Sequence, residues 1–83
     1  MSVHFANQKK RPVYWENTDG DSQKFWAGHI LRHGKKYILA RKWGKIGTKG
    51  QSMEQVFDDQ YEVEKVLDRL IWGKESKGYK AKF

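Results

Sequence analysis

The sequence predicts an α+β fold in which a small curled antiparallel sheet of four to five strands carries one helix on one face. Short β-rich runs separated by turn residues occupy residues 13–57. One amphipathic helical pattern follows them. The chain has only 83 residues, so these elements must share a single core.

Turn residues divide the first part of the chain into strands. Asn17–Gln23 supplies Asn, Asp, Gly and Ser for a turn. The pair His33–Gly34 suggests a tight two-residue hairpin, and the residues Gly47–Gln51 turn the chain again. The four predicted strands are Val13–Glu16, Lys24–Arg32, Lys35–Ile46 and Ser52–Phe57.

One α-helix is predicted after the fourth strand. Asp59, with Glu62 three residues later, resembles a capping box, and Gly73 or Gly78 is expected to end the helix. Tyr79–Phe83 alternates apolar and basic residues and is predicted to add a last edge strand. The apolar side chains that define the helix recur at i, i+3, i+4, i+7 and i+8, and they are Val63, Val66, Leu67, Leu70 and Ile71.

The same patterns predict the domain boundaries. Residues 13–83 are expected to form a single domain. The basic residues 1–12 are expected to form a loose tail, which Val3 and Phe5 could hold against that domain. The chain lacks an apolar signal segment, any run near the ~18 apolar residues of a membrane span, and cysteine. We therefore expect an intracellular protein, either cytoplasmic or associated with nucleic acid.

The net charge of +7 is unevenly distributed. Residues 22–53 contain eight Lys or Arg and no acid, whereas residues 54–75 contain seven acids and three bases. An acid-free stretch of this length concentrates positive potential where an anionic partner can bind. Because the predicted helix carries most of the acid, the basic strands are expected to form a separate surface away from it.

The sequence contains no pattern that indicates catalysis. No Ser, His and acid are spaced as a nucleophilic triad, and His4, His29 and His33 lack metal-ligand spacing. Asp58 and Asp59 are interpreted as acids that cap the helix N-terminus. The chain is therefore predicted to be non-enzymatic and to need neither a cofactor nor a metal.

The strongest binding candidate is the stretch RKWGKIGTKGQ, residues 41–51. Its glycines lack the order of a P-loop, but they would let backbone N–H groups approach an anion. Its tryptophan offers a ring on which a sugar or unpaired base could stack. Composition alone leaves two interpretations open: a surface that holds a polyanion, or a basic turn with a core tryptophan. The predicted contacts are Trp43, Lys45, Arg41, Lys42, Lys49 and Gln51, with an anion loop of Gly44, Gly47 and Gly50.

Several motifs occur in the order and spacing of a known family. They are the K-F-aromatic strand Lys24–Trp26, the block Trp43–Gln51, a capped helix after Phe57, and an ending with Lys74, Gly78 and Tyr79. From about Val13 to its end, the chain resembles the WGR domain, which is named for Trp-Gly-Arg. The resemblance implies a small antiparallel sheet with one helix packed on it.

The resemblance also implies a ligand. WGR domains of poly(ADP-ribose) polymerases bind DNA near strand breaks and contact the 5′-phosphorylated end, and the family also occurs in bacterial proteins. The motif Trp, which packs against the terminal sugar, matches Trp43. The motif Arg, which contacts phosphate or a neighbouring domain, matches Lys45, and a polar-Lys pair that touches DNA matches Gln23 and Lys24. Lys45 keeps the charge of the family Arg but lacks its planar fork.

Two functions are consistent with these features. The preferred one is a stand-alone, non-enzymatic module that binds nucleic acid, DNA in preference to RNA, through backbone and strand-end contacts with weak sequence preference. The alternative is an adaptor that docks on an acidic protein through an exposed Trp or Tyr. Because 83 residues leave no room for a polymerase domain, that activity is not expected. The sequence predicts no membrane contact and no particular oligomeric state.

Overall fold

The computed structural model describes residues 12–83, so most of the predicted tail, including Val3 and Phe5, lies outside the described residues. Within them, the elements in chain order are β1 (Tyr14–Asn17), β2 (Lys24–His33), β3 (Lys36–Lys45), β4 (Gln51–Phe57), α1 (Gln60–Ser76) and β5 (Lys80–Lys82). The five strands form one antiparallel sheet in the spatial order β4-β3-β2-β1-β5. The predicted α+β class is confirmed.

β2 and β3 form the long central hairpin of the sheet. Their register pairs His33 with Lys36, so the turn residues are Gly34 and Lys35, one position later than predicted. Gly34 has a φ of 61°, and no described residue other than glycine has a positive φ. A left-handed glycine in the first central position is typical of a type II′ turn, which matches the twist of the flanking strands.

α1 begins and ends close to the predicted positions. The Oδ2 atom of Asp59 accepts a hydrogen bond from the N–H of Glu62 at 3.0 Å, which confirms the predicted N-cap. The helix continues through Gly73 and ends before Gly78, so only the second of the two predicted terminators is used. No helix among residues 12–83 is long and apolar enough to cross a membrane.

The core lies between α1 and one face of the sheet, called here the helix face. Trp15 and Trp26 are register partners on this face, with ring centroids 5.1 Å apart. The Nε1–H of Trp15 donates to Glu75 Oε2 at 3.0 Å, which satisfies its only polar group. The opposite, open face carries no helix among the described residues. The buried core cluster is Trp15, Trp26, Leu39, Val63 and Leu67.

Candidate nucleic-acid interface

Trp43 lies on the helix face of β3, in register with Trp26 on β2 and Gln51 on β4. Its side chain is half-buried and packs against the core cluster. The part of the ring that the core leaves uncovered lines two clefts. Trp43 is therefore both a packing residue and a side chain that a ligand can reach.

The larger of these clefts, called here the Trp43 cleft, has a volume of about 590 Å³. Lys24 and Lys45, which face each other at the ends of β2 and β3, are both exposed on its rim. Asp21 is the only acid among residues 12–83 that lines it. The cleft brings together five residues predicted from the sequence, which are Gln23, Lys24, Trp43, Gly44 and Lys45. It is also lined by Lys74 and Tyr79, which were not predicted as contacts.

The C-terminus of α1 places Lys74 and Tyr79 in the Trp43 cleft. The N–H of Gly78 donates to the carbonyl of Glu75, and the N–H of Tyr79 donates to the carbonyl of Lys74, both at 3.1 Å. These two bonds form a Schellman motif, which requires the left-handed glycine found at Gly78 with φ 103°. The motif brings the Nζ of Lys74 to 5.1 Å from the ring centroid of Tyr79.

Positive charge is concentrated around Lys74. Desolvation by burial, and then repulsion from Lys77 and Lys24, lowers the pKa of Lys74. The C-terminal end of a helix favours cations, which partly offsets this repulsion. Because the cations already repel one another, an anion in the cleft would relieve an unfavourable interaction.

The predicted separation of the basic surface from the helix is wrong. Lys24, Trp43 and Lys45 share the helix face because the strand register places them on the same side as Trp26. The cleft lies beside the C-terminal end of α1, whereas Glu62 is near its N-terminus, roughly 18 Å from Lys74 along the axis at 1.5 Å per residue. Distance along the helix, rather than opposite faces of the sheet, separates this acid from the cleft.

Four of the predicted contacts do not line the Trp43 cleft. Arg41 lines the smaller of the two clefts instead. Lys42 lies on the open face, because it alternates with Trp43 along β3. Lys49 is exposed in the loop between β3 and β4. Gln51 is exposed beside Trp43 on the edge strand β4.

The predicted anion loop covers Phe25 on the open face. Phe25 is only 6% exposed. A Cβ atom on Gly50 would lie 2.9 Å from the Phe25 ring and 2.2 Å from the carbonyl oxygen of Trp43, and the φ of Gly50 is 70°. The N–H groups of Ile46 and Thr48 already donate to backbone carbonyls within the protein. The loop therefore has a packing role, and two of its N–H groups are already used.

The described residues contain no group of three or more His, Cys, Asp or Glu side chains that could hold a metal ion.

Comparison with known proteins gives the chain a relative and a family model. A family model for the WGR domain matches residues 11–82. A crystal structure of a Bacteroides fragilis protein is 34% identical, with a TM-score of 0.68, over 88% of this chain and 20% of that chain. The match thus spans about a fifth of the length of that protein. A search of curated proteins found no match.

Proposed function

The chain belongs to the WGR domain family, and from this premise we propose that it binds DNA, without catalysing a reaction, through backbone and strand-end contacts in the Trp43 cleft. WGR domains are nucleic-acid-binding modules of proteins related to poly(ADP-ribose) polymerases. The observation that supports the proposal most strongly is that one cleft joins an accessible tryptophan to Lys24, Lys45 and Lys74.

The lysines account for affinity without sequence preference. An ammonium group binds phosphate oxygens as a point charge and makes no contact that distinguishes one base from another. Binding by such contacts releases counterions, so it weakens steeply as salt is added. We therefore expect DNA binding that depends strongly on ionic strength and weakly on sequence.

Trp43 accounts for the preference for strand ends. Its half-buried ring packs against the core cluster and lines both clefts. A nucleoside inside a continuous duplex is stacked on both sides, whereas the terminal nucleoside leaves one face and its sugar uncovered. A half-buried ring in a cleft can therefore pack against a terminal sugar or base more readily than against an internal one.

Titration of matched duplexes tests the proposal. One duplex has open, 5′-phosphorylated ends, and the other has both ends closed by hairpin loops. Trp43→Ala should reduce the preference for the open duplex, whereas Trp72→Ala, a matched change at a tryptophan 73% exposed on α1, should preserve it. An affinity weaker than ~10⁻⁴ M at low salt, or an affinity that does not change with salt concentration, would refute DNA binding. An equal loss on both duplexes would show that Trp43 acts only in packing.

A second candidate function is that of a protein-interaction adaptor. Trp72 and Tyr61 are 73% and 72% exposed, and their spacing places them on the same side of α1. Exposed aromatic side chains of this kind often anchor protein interfaces. A partner protein that stays bound after nuclease treatment but no longer binds the Trp72→Ala variant would favour this function. A partner that is released by nuclease treatment would favour nucleic-acid binding.

A further inference from the structure

β4 is an edge strand, and among residues 12–83 no further strand pairs with its outer side. It runs over the seven residues Gln51–Phe57, and five of their side chains are exposed. An edge strand presents unpaired backbone N–H and C=O groups, which form a template for pairing with another chain. β4 is therefore long enough and open enough to accept one more strand.

The two edges of the sheet differ in their protection. β5 has only three residues, and two of them are lysines, Lys80 and Lys82. Short length and lysine side chains are common means of preventing edge-to-edge pairing. β4 contains neither lysine nor proline, and its one charged side chain is Glu54. The β5 edge is thus protected against pairing, whereas the β4 edge is not.

An apolar row crosses three strands of the open face and ends on β4. The register pairs Leu31 on β2 with Ile38 on β3, and Ile38 with Val56 on β4. Val56 is 64% exposed and Leu31 is 45% exposed, and Ile38 is half-buried between them. An apolar side chain on a strand added beside β4 would contact Val56 and extend the row.

A hollow of about 500 Å³ lies on the open face next to the apolar row. It is shallow in side chains at Ala27 and Ala40, and Ser52 and Glu54 line it on β4. Lys42 also lines it, is exposed, and pairs with Ser52 across the two strands. An added strand would lie about 10 Å from β3. Because Ser52 is short, the ammonium of Lys42 can reach over it to a carboxylate on that strand.

On the helix face, Arg41 holds alternate side chains of β4. Its Nη2 donates to Gln55 Oε1 at 2.7 Å and to Met53 Sδ at 3.2 Å. It keeps these contacts although its buried Nε–H has no acceptor among residues 12–83. They tie β4 to β3, so the edge is already an ordered strand before a partner binds. A preformed edge lowers the ordering cost of binding.

The charge around β4 favours an acidic partner. The chain has a net charge of +7, and residues 22–53 contain eight Lys or Arg and no acid. Complementary potentials favour association, whereas a second copy of so basic a chain is repelled. An acid directly opposite Glu54 would be unfavourable. The favoured position for the acid of the partner is therefore opposite Ser52, within reach of Lys42.

We propose that the β4 edge and the open face beside it bind an extended, acidic segment of another protein as a sixth strand of the sheet. The segment carries an apolar residue opposite Val56 and an acidic residue opposite Ser52, which places the two four positions apart on one face of the strand. Backbone pairing provides affinity, and these two side chains provide specificity. The surface is separate from the Trp43 cleft and from Trp72 on α1, so the inference does not depend on the proposed function.

Selection from a phage-displayed library of random peptides of about twelve residues tests the proposal. The enriched peptides should share an apolar and an acidic residue four positions apart. Fluorescence anisotropy then gives the affinity of the most enriched peptide, made synthetically and labelled. Val56→Ser should weaken its binding about tenfold, because the apolar contact is lost. The matched change Val13→Ser, at a valine 48% exposed before β1, should leave the affinity within about twofold.

Two further changes test the backbone pairing and the charge. Consecutive N–H groups of a strand point to opposite sides, so N-methylation of two consecutive central residues of the peptide always removes one that faces β4. This should weaken binding about tenfold or more. Lys42→Gln should weaken binding about threefold or more, whereas Lys35→Gln, in the turn between β2 and β3, should change it less than about twofold.

Several results would overturn the proposal. They are a selection that enriches no peptide, and an enriched peptide whose affinity is unchanged by both Val56→Ser and N-methylation. Circular dichroism checks the fold of each variant, and the N-methylated peptide decides alone if Val56→Ser does not fold. A dimer in sedimentation that Val56→Ser abolishes would assign the edge to a second copy. Release of the peptide by duplex DNA would assign the peptide to the nucleic-acid interface. Peptide binding without duplex binding rejects only the proposed function.

Discussion

The salt dependence of duplex binding tests the charge of the two clefts most directly. Within the described part of the chain, four cations line them: Lys24, Lys45, Lys74 and Arg41. Each neutralised phosphate contributes about −0.9 to the slope of log affinity against log salt concentration on duplex DNA. If each cation neutralises one phosphate, the slope for the wild-type protein is about −3.6.

The substitution Lys45→Gln removes one of these contacts and should bring the slope to about −2.7. Lys36→Gln is the matched control, because Lys36 lies at the opposite end of β3 and forms an exposed ion pair with Asp58. Its slope should stay near −3.6. Fluorescence anisotropy of a labelled, 5′-phosphorylated duplex, measured across a series of salt concentrations, gives all three slopes.

Either of two outcomes would refute the reasoning. If Lys45→Gln leaves the slope unchanged, Lys45 does not neutralise a phosphate, whatever its effect on affinity. If Lys36→Gln lowers the slope as much as Lys45→Gln, DNA responds to the total charge of the chain and not to the cleft. Because the comparison uses slopes, a small difference in folding stability between the variants does not affect the conclusion.

Three further predictions concern stability. Gly50→Ala should destabilise the protein in urea by about 2 kcal/mol or more, because its Cβ would lie 2.2 Å from the Trp43 carbonyl oxygen. Gly47→Ala, with open space around it and φ 91°, should cost only about 1–2 kcal/mol, and equal losses would contradict the steric explanation. Asp59→Ala should lose about 1 kcal/mol with the N-cap, and an unchanged urea midpoint would argue against that role. The pKa of Lys74 is lowered from 10.5 in the folded protein, so between the folded and the unfolded pKa the unfolded chain binds more protons. The stability of the wild-type protein should therefore rise, relative to that of Lys74→Gln, as pH increases through this window. A pH-independent difference between their thermal melts would contradict this.

The strands and the helix could be predicted because their signals are local. β-rich runs bounded by turn residues mark β1 to β4, the 3.6-residue period marks α1, and Asp59 marks its start. The sequence predicts the turn between β2 and β3 one residue too early because two-residue loops accept either X-Gly or Gly-X. The observed cross-strand register, in which His33 pairs with Lys36, distinguishes these two turns.

The candidate site could be predicted only in part. The basic stretch of residues 41–51 and the WGR motif identify Lys45, and the resemblance alone identifies Lys24. Lys74 was not identified as a contact, since its position depends on how α1 crosses the sheet, which sequence spacing does not specify. The unpaired Nε of Arg41 likewise depends on which acceptors surround it after folding.

Lysine at position 45, where the family motif has arginine, changes how a phosphate can be held. An ammonium group supplies charge but lacks the planar fork that fixes orientation. In this chain Lys74 provides a second ammonium in the same cleft, so two point charges can contact two phosphate oxygens without imposing a plane. Orientation must then come from Trp43, whose ring is held by the core. The lysines therefore determine the affinity and its salt dependence, whereas Trp43 determines the preference for strand ends. Substitutions at the lysines and at Trp43 should change these two properties independently.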